Sequence, residues 1–388
     1  MNYSPATWTV PDGALERTEA FAALLADIRA RREGFMARRR VDADIIDRLK
    51  RLGIYRAMVA KTFGGDERSP AEFCRAIEAI SEADGSVGWV ASFGGAATYL
   101  AALPEPTLRR LYANGPDVVF AGGLFPLQPA RRVPGGLLIE GRWQFGSGSP
   151  GADMIGVGIT VADDATGGLP RVAVMPAAQV DIRENWDVIG LQGTGSHDLV
   201  VDGVVVPEEW TFIRGGAASL DSPVNRYPTL ALSAQVLAVV GLGVARSALD
   251  QIAEMAGGRV SITGAPRMAD RPHVQIEVGK AEASLRSARA FFYEASEQVW
   301  EKVLAGDAPS VQEVALVRLA ASNAARTGAQ VSRICYELAG TTAIYNGHGL
   351  SRAMCDSSVV AQHAFLNDGT YQSGGRIMLG LPPAPGYP

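Results

Sequence analysis

The chain has 388 residues, 47% hydrophobic and 20% charged, with a formal net charge of −5. That length exceeds one simple core, so two or three cooperating units are expected, and the acidic balance argues against a nucleic-acid surface, which needs concentrated positive charge. Three dispersed cysteines without a CxxC pair, and no basic-plus-apolar leader, read as a reduced cytoplasmic chain; no run is read as a membrane span, and four scattered histidines form no metal pattern.

From about Gly13 to Asn114 the pattern is helical. Phe21, Leu24, Ile28 and Phe35 fall on one helical face. The basic run Arg29 to Arg40, RARREGFMARRR, alternates with apolar residues and reads as a solvated helix face. Asp42 is expected to cap DADIIDRLKRLG, with Gly53 as its left-handed stop. SPAEFCRAIEAISEADG gives a further helix, and another begins near Ser86 and carries Trp89.

From about Asp117 to Phe212 short β-branched runs (DVVFAG, GLLIEG, MIGVGITVA, RVAVMP, HDLVVDGVVVP) alternate with Gly, Pro and Asp turns, the pattern of an antiparallel barrel or sandwich. Strand–helix alternation and GxGxxG are both missing, which disfavours a dinucleotide-binding Rossmann domain. Beyond Pro228 the chain is helical again. Val317, Ala321, Ala324, Gly328, Val331, Cys335 and Leu338 step by fours and threes, the seam of a bundle helix whose small residues imply close approach. PPAPGYP reads as a loose end.

One stretch fits this scheme poorly. GRWQFGSGSPGADMIGVG, Gly141 to Gly158, interleaves Trp143 and Phe145 with glycines and serines before an apolar strand. Glycine weakens a strand and marks a turn, a bulge or a close approach to the backbone.

The order helices, sheet, helices, together with five motifs, resembles the acyl-CoA dehydrogenase superfamily, within it the oxygenase components of two-component, reduced-flavin-dependent monooxygenases. The motifs are LKRLGIYRAMVAKTFGG, SPAEFCRAIEAISEADGSVGWVAS, GRWQFGSGSPGAD, WDVIGLQGTGSHDLVVDGVVVPEEW and ITGAPRMADRPHVQIEVGKAEASLRSAR. The resemblance implies an α+β fold in three parts: an N-terminal helical domain over residues 13–115, a central antiparallel β-barrel or sandwich over 116–215, and a C-terminal four-helix bundle over 225–381.

It also implies a chemistry. Reduced FMN or FAD, delivered by a separate NAD(P)H-dependent reductase, reacts with O₂ to a C4a-hydroperoxyflavin that hydroxylates an aromatic, polycyclic or heteroatom-containing small molecule. The family's flavin-facing strand places Phe145 at the stacking position and Ser147 at flavin N5, with Trp143 and Gly148 beside the ring. Thr194 and Ser196 of GLQGTGS form the other wall or cap the next strand, and His197 is expected on the surface. Arg267, Gln275, Glu337 and Gly340 match positions that reach a neighbour's flavin phosphates, which implies a homotetramer. In the region where a dehydrogenase carries its glutamate base, RAMCDSSVVAQHAFLNDGTYQSGGRIMLG has none and offers His363. His363 is therefore the expected proton-transfer group, while His348 reads as a loop residue. Trp89, Ser92, Phe93 and Leu124 are expected to line the substrate, and Gly94 and Gly95 to leave room for it. An acyl-CoA dehydrogenase-like FAD flavoprotein and a flavin-free binding scaffold are the alternatives.

Overall fold

In a computed structural model the chain is described at residues 15, 18–162, 169–257, 266–384 and 387. The expected helical start at Gly13, the Ile262–Ala265 part of the last motif and part of PPAPGYP lie outside these. Among these residues six helices come first: α1 (Glu19–Arg38), α2 (Ala43–Arg51), α3 (Pro70–Ala83), α4 (Gly85–Ser92), α5 (Ala97–Leu100) and α6 (Glu105–Leu111). The α1 face buries Phe21, Leu24, Ile28 and Phe35 as the spacing predicts, each worth about 1.5–3 kcal/mol of apolar transfer. Asp42 takes the N-cap backbone conformation of α2, but its side chain makes no cap bond. Its carboxylate instead accepts from Arg31 and Arg38, which ties the basic run back onto the next helix.

Among the described residues seven strands follow: β1 (Phe120–Val133), β2 (Gly136–Gly146), β3 (Met154–Val161), β4 (Arg171–Pro176), β5 (Asp181–Arg183), β6 (His197–Val206) and β7 (Thr211–Ile213). Their order is β5-β6-β2-β1-β3-β4-β7. The sheet is mixed and open, which corrects the antiparallel barrel or sandwich expected from the sequence. β2 turns back antiparallel to β1. β3 reverses direction again but pairs on the other side of β1, so it must run parallel to it. β1 breaks register between Gly123 and Gln128, and the sheet curls there so that Trp143, Leu199, Val157 and Ala173 share one core.

The C-terminal helices are α7 (Pro223–Arg226), α8 (Thr229–Ala256), α9 (Pro272–Leu304), α10 (Val311–Ala339), α11 (Gly349–Ala361) and α12 (Asp368–Met378). The α10 seam is buried from Val317 to Cys335. A Cβ at Gly328 would lie 2.5 Å from the Gly241 carbonyl of α8, so only glycine permits this crossing. By composition α8 is long and apolar enough to cross a membrane, which the sequence reading passed over. Its most apolar stretch is 89% buried inside the protein, the signature of a bundle's central helix.

Candidate active site

β2 ends in a bend of its own making. Phe145 has φ +60°, a left-handed backbone that costs a non-glycine residue roughly 1–2 kcal/mol. The Ser147 N–H donates to the Phe145 carbonyl at 2.8 Å, and pairing with β6 skips between Trp143 and Gly146. Residues two apart on a regular strand share a face; this bend breaks that rule. Phe145 turns outward, 65% exposed, with its ring 6.2 Å from Trp186 and nearly perpendicular to it. Trp143 turns inward and is fully buried, its Nε1–H donating to the Gly158 carbonyl at 2.7 Å. Trp143 is thus a core residue of the sheet, and its expected place beside a cofactor is corrected.

Behind the bend runs a chain of hydroxyls with a fixed direction. Thr194 Oγ1–H donates to the Leu191 carbonyl at 2.9 Å. A hydroxyl has one proton, so the 2.6 Å contact between Thr194 and Ser196 must be donated by Ser196. The 2.7 Å contact between Ser196 and Ser147 must then be donated by Ser147. Ser147 is left with acceptor capacity only. Thr194 and Ser196, both buried, therefore set the polarity of Ser147.

The turn carrying that chain is pinned from three sides. Gly148 N–H donates to the Thr194 carbonyl at 2.8 Å. Gly193 N–H donates to Ser86 Oγ of α4 at 3.0 Å. Leu191 N–H donates to the Asp356 carboxylate of α11. Burial first, and the neighbouring Asp84 second, push Asp356 up to about 7. His197, expected on the surface, is buried, and its Nδ1 accepts from the Trp186 N–H at 3.0 Å.

The other wall is α4 and the loop before α12. Trp89 is almost fully buried and meets His363 edge-on, ring centres 5.8 Å apart; His363 in turn lies 5.4 Å from the Phe365 ring. His363 Nδ1 accepts from the Phe365 N–H, so the neutral ring carries its proton on Nε2. Burial first, and the positive charge of Arg214 second, push His363 down to about 4. It is a neutral hydrogen-bond donor near pH 7 and a weak base. His348 likewise accepts from Leu350 N–H, as the cap of α11.

Ser92 is buried and donates to the Trp89 carbonyl at 2.7 Å. Phe93 opens a short turn, Phe93–Ala96, against which β1 packs, and Leu124 of β1 lies in the apolar cluster beside it. Gly94 and Gly95 do not open a pocket. A Cβ at Gly94 would meet the Ile54 carbonyl at 2.4 Å, and one at Gly95 would meet Val236 at 3.2 Å; they are glycines because neighbours fill the space.

Arg267, Gln275, Glu337 and Gly340 lie apart from this bend, on exposed faces of the bundle. Arg267 pairs with Asp270, Gln275 donates to the Ala269 carbonyl, and Glu337 pairs with Arg333. Two cavities, of about 320 and 740 Å³, are lined by neither Phe145, Ser147 nor His363; the Phe145 ring stands exposed. Sequence reasoning missed Trp186, Asp356, Arg214 and Arg318. Asp356 had a signal: it sits on the buried α11 face with Ala353 and Val360, where a lone carboxylate needs a partner.

A family model described as acyl-CoA dehydrogenase, C-terminal domain, matches residues 235–368. The chain is 55% identical over 379 residues to an indole-3-acetate monooxygenase of Pseudomonas putida, covering 97% of each chain. It is 30% identical over 369 residues to the oxygenase component of an FADH(2)-dependent resorcinol hydroxylase of a Rhizobium species, covering 90% of each. The chain belongs to the two-component flavin-dependent monooxygenases. Among solved structures this monooxygenase superimposes on 3-HSA hydroxylase from Rhodococcus sp. RHA1 with a TM-score of 0.88 at 25% identity, covering 95% of this chain and 99% of the other. Its site suits a reduced flavin. Phe145 offers an exposed aromatic face, and Ser147 offers an oxygen that can only accept, as a reduced flavin's N5–H requires.

Proposed function

We propose that this monooxygenase binds reduced FMN or FAD from a separate NAD(P)H-dependent reductase and hydroxylates an indole-type ring, as the name of its Pseudomonas putida relative suggests. The observation that carries the reading is the acceptor-only Ser147 beside the outward Phe145. Reduced flavin, when bound, supplies the electrons that activate O₂. The chain's own residues do the rest. Phe145 stacks on the ring, Ser147 accepts at N5, and Gly148 lets the backbone approach. Trp89, Phe93 and Leu124 exclude water from the substrate side, where a wet site would release hydrogen peroxide.

His363 donates from Nε2 to a developing oxyanion rather than shuttling a proton, because its Nδ1 already accepts from the Phe365 N–H. Arg267, Gln275, Glu337 and Gly340 would complete a neighbour's phosphate site in a homotetramer. The exposed Ile276, Ile344 and Tyr345 close to them in sequence support such an interface. Three free cysteines support a cytoplasmic location.

Anaerobic titration of the purified protein with reduced and with oxidised FMN and FAD, followed by oxygen and indole-3-acetate, tests the reading. Tighter binding of a reduced flavin and formation of hydroxylated product are expected. Equal affinity for both redox states would defeat the role given to Ser147. His363→Ala should leave reduced-flavin affinity unchanged and lower product per O₂ consumed; an unchanged yield removes His363 from the chemistry.

A further inference from the structure

Beside His363 stand two arginines, Arg318 buried and Arg214 half-buried, that no carboxylate among the described residues neutralises. Arg318 of α10 is 5% exposed; among the described residues its Nε has no partner, and its one hydrogen bond is a 3.4 Å contact to the Phe365 carbonyl. Arg214, half-buried just after β7, has as its one side-chain hydrogen bond among the described residues a 3.4 Å contact to the Tyr99 hydroxyl. The two guanidinium carbons lie 5.5 and 4.5 Å from the centre of the same Phe365 ring. Among the described residues neither arginine has a carboxylate partner, and the groups acting electrostatically on Arg318 are Tyr387, Tyr99 and Arg214. A buried guanidinium keeps its charge, and leaving it unpaired is costly. Charge of this kind persists where a ligand supplies the missing anion.

We infer that Arg214 and Arg318 form an anion subsite for the carboxylate of an aromatic carboxylic acid whose ring lies against Trp89 and His363. The inference rests on the reading above that the substrate has an indole-type ring, and it adds what selects among such rings. The rings run from Trp89 through His363 to Phe365 in steps of 5.8 and 5.4 Å, and the arginines stand at the Phe365 end. An acetate arm on a ring packed beside His363 extends its carboxylate toward that end. A planar guanidinium suits a carboxylate because it can donate two parallel bonds. The subsite would admit indole-3-acetate and disfavour neutral analogues such as 3-methylindole.

Calorimetric titration of indole-3-acetate and of 3-methylindole into the wild-type protein and into Arg214→Gln, Arg214→Lys and Arg318→Met decides the matter. Wild type should bind indole-3-acetate at least tenfold more tightly. Arg214→Gln and Arg318→Met should each lose about 10–100-fold for the acid, the range of a charged hydrogen bond, with 3-methylindole unchanged. Arg214→Lys should recover part of the loss. Unchanged 3-methylindole affinity also certifies that the variants are folded. A wild type without preference for the acid, or a preference that survives both charge-removing variants, overturns the subsite. Turnover is scored separately: a protein that binds the acid selectively but does not hydroxylate it keeps the subsite and loses the reaction.

Discussion

Two pairs of arginines, each with one buried and one half-buried member, meet opposite solutions. In the helical bundle Arg246 is held by Asp250 at 2.7 Å and Glu282 at 2.6 Å. Arg289 is held by Glu78 at 2.7 Å, and Glu78 also accepts from the Tyr293 hydroxyl. Beside His363, Arg214 and Arg318 have aromatic faces, a backbone carbonyl and a hydroxyl instead. Stability alone explains the first pair, since desolvated charges are tolerable when matched. It does not explain the second. Unmatched charge next to an aromatic wall marks a place kept for a ligand.

That contrast can be broken experimentally. Glu78→Ala removes the buried carboxylate that Arg289 and the Tyr293 hydroxyl share and should cost about 3–5 kcal/mol in urea unfolding; a cost under 1 kcal/mol would mean that the bundle pair is no better matched than the cleft pair. Ser147→Ala should reduce the preference for reduced over oxidised flavin about tenfold, the worth of one hydrogen bond, read by equilibrium titration of both redox forms. An unaltered ratio would show that the hydroxyl chain is only structural.

Asp356 and His363 make a pair of pH tests with opposite signs. Asp356 is raised to about 7, so its contribution is complete below the ordinary carboxylate range and is lost as pH rises through 7. Asp356→Asn keeps an acceptor for Leu191 N–H and should flatten thermal stability between pH 5 and about 8. His363 is lowered to about 4, so its contribution is complete above about 6.5 and is lost as pH falls toward 4. Arg214→Gln should raise the His363 pKa, measured by NMR titration, because one source of its depression is gone; no movement would separate Arg214 from the site. The smallest effect is expected for Arg318→Met, which removes an unmatched charge and should leave stability within about 1 kcal/mol of wild type or raise it. A large loss would mean that the cation stabilises the fold after all.

The sequence determined what repeats locally or follows from composition. The α1 face, the α3 and α4 boundaries and the α10 seam were legible because helical packing imposes a period that one strand of text displays. Family motifs supplied Phe145, Ser147 and His363 as candidates. Tertiary structure alone decided which way each of these faces. Trp143 and Phe145 look equivalent on a strand, and one left-handed backbone angle sends them to opposite sides. Gly94 and Gly95 look like space, and neighbours fill it. The acceptor polarity of Ser147 needs Thr194, Ser196 and Leu191, and the unmatched charge needs Arg214 and Arg318, residues 104 apart in the chain. Both arise from long-range contacts, and no local window of sequence holds the two partners of such a contact at once.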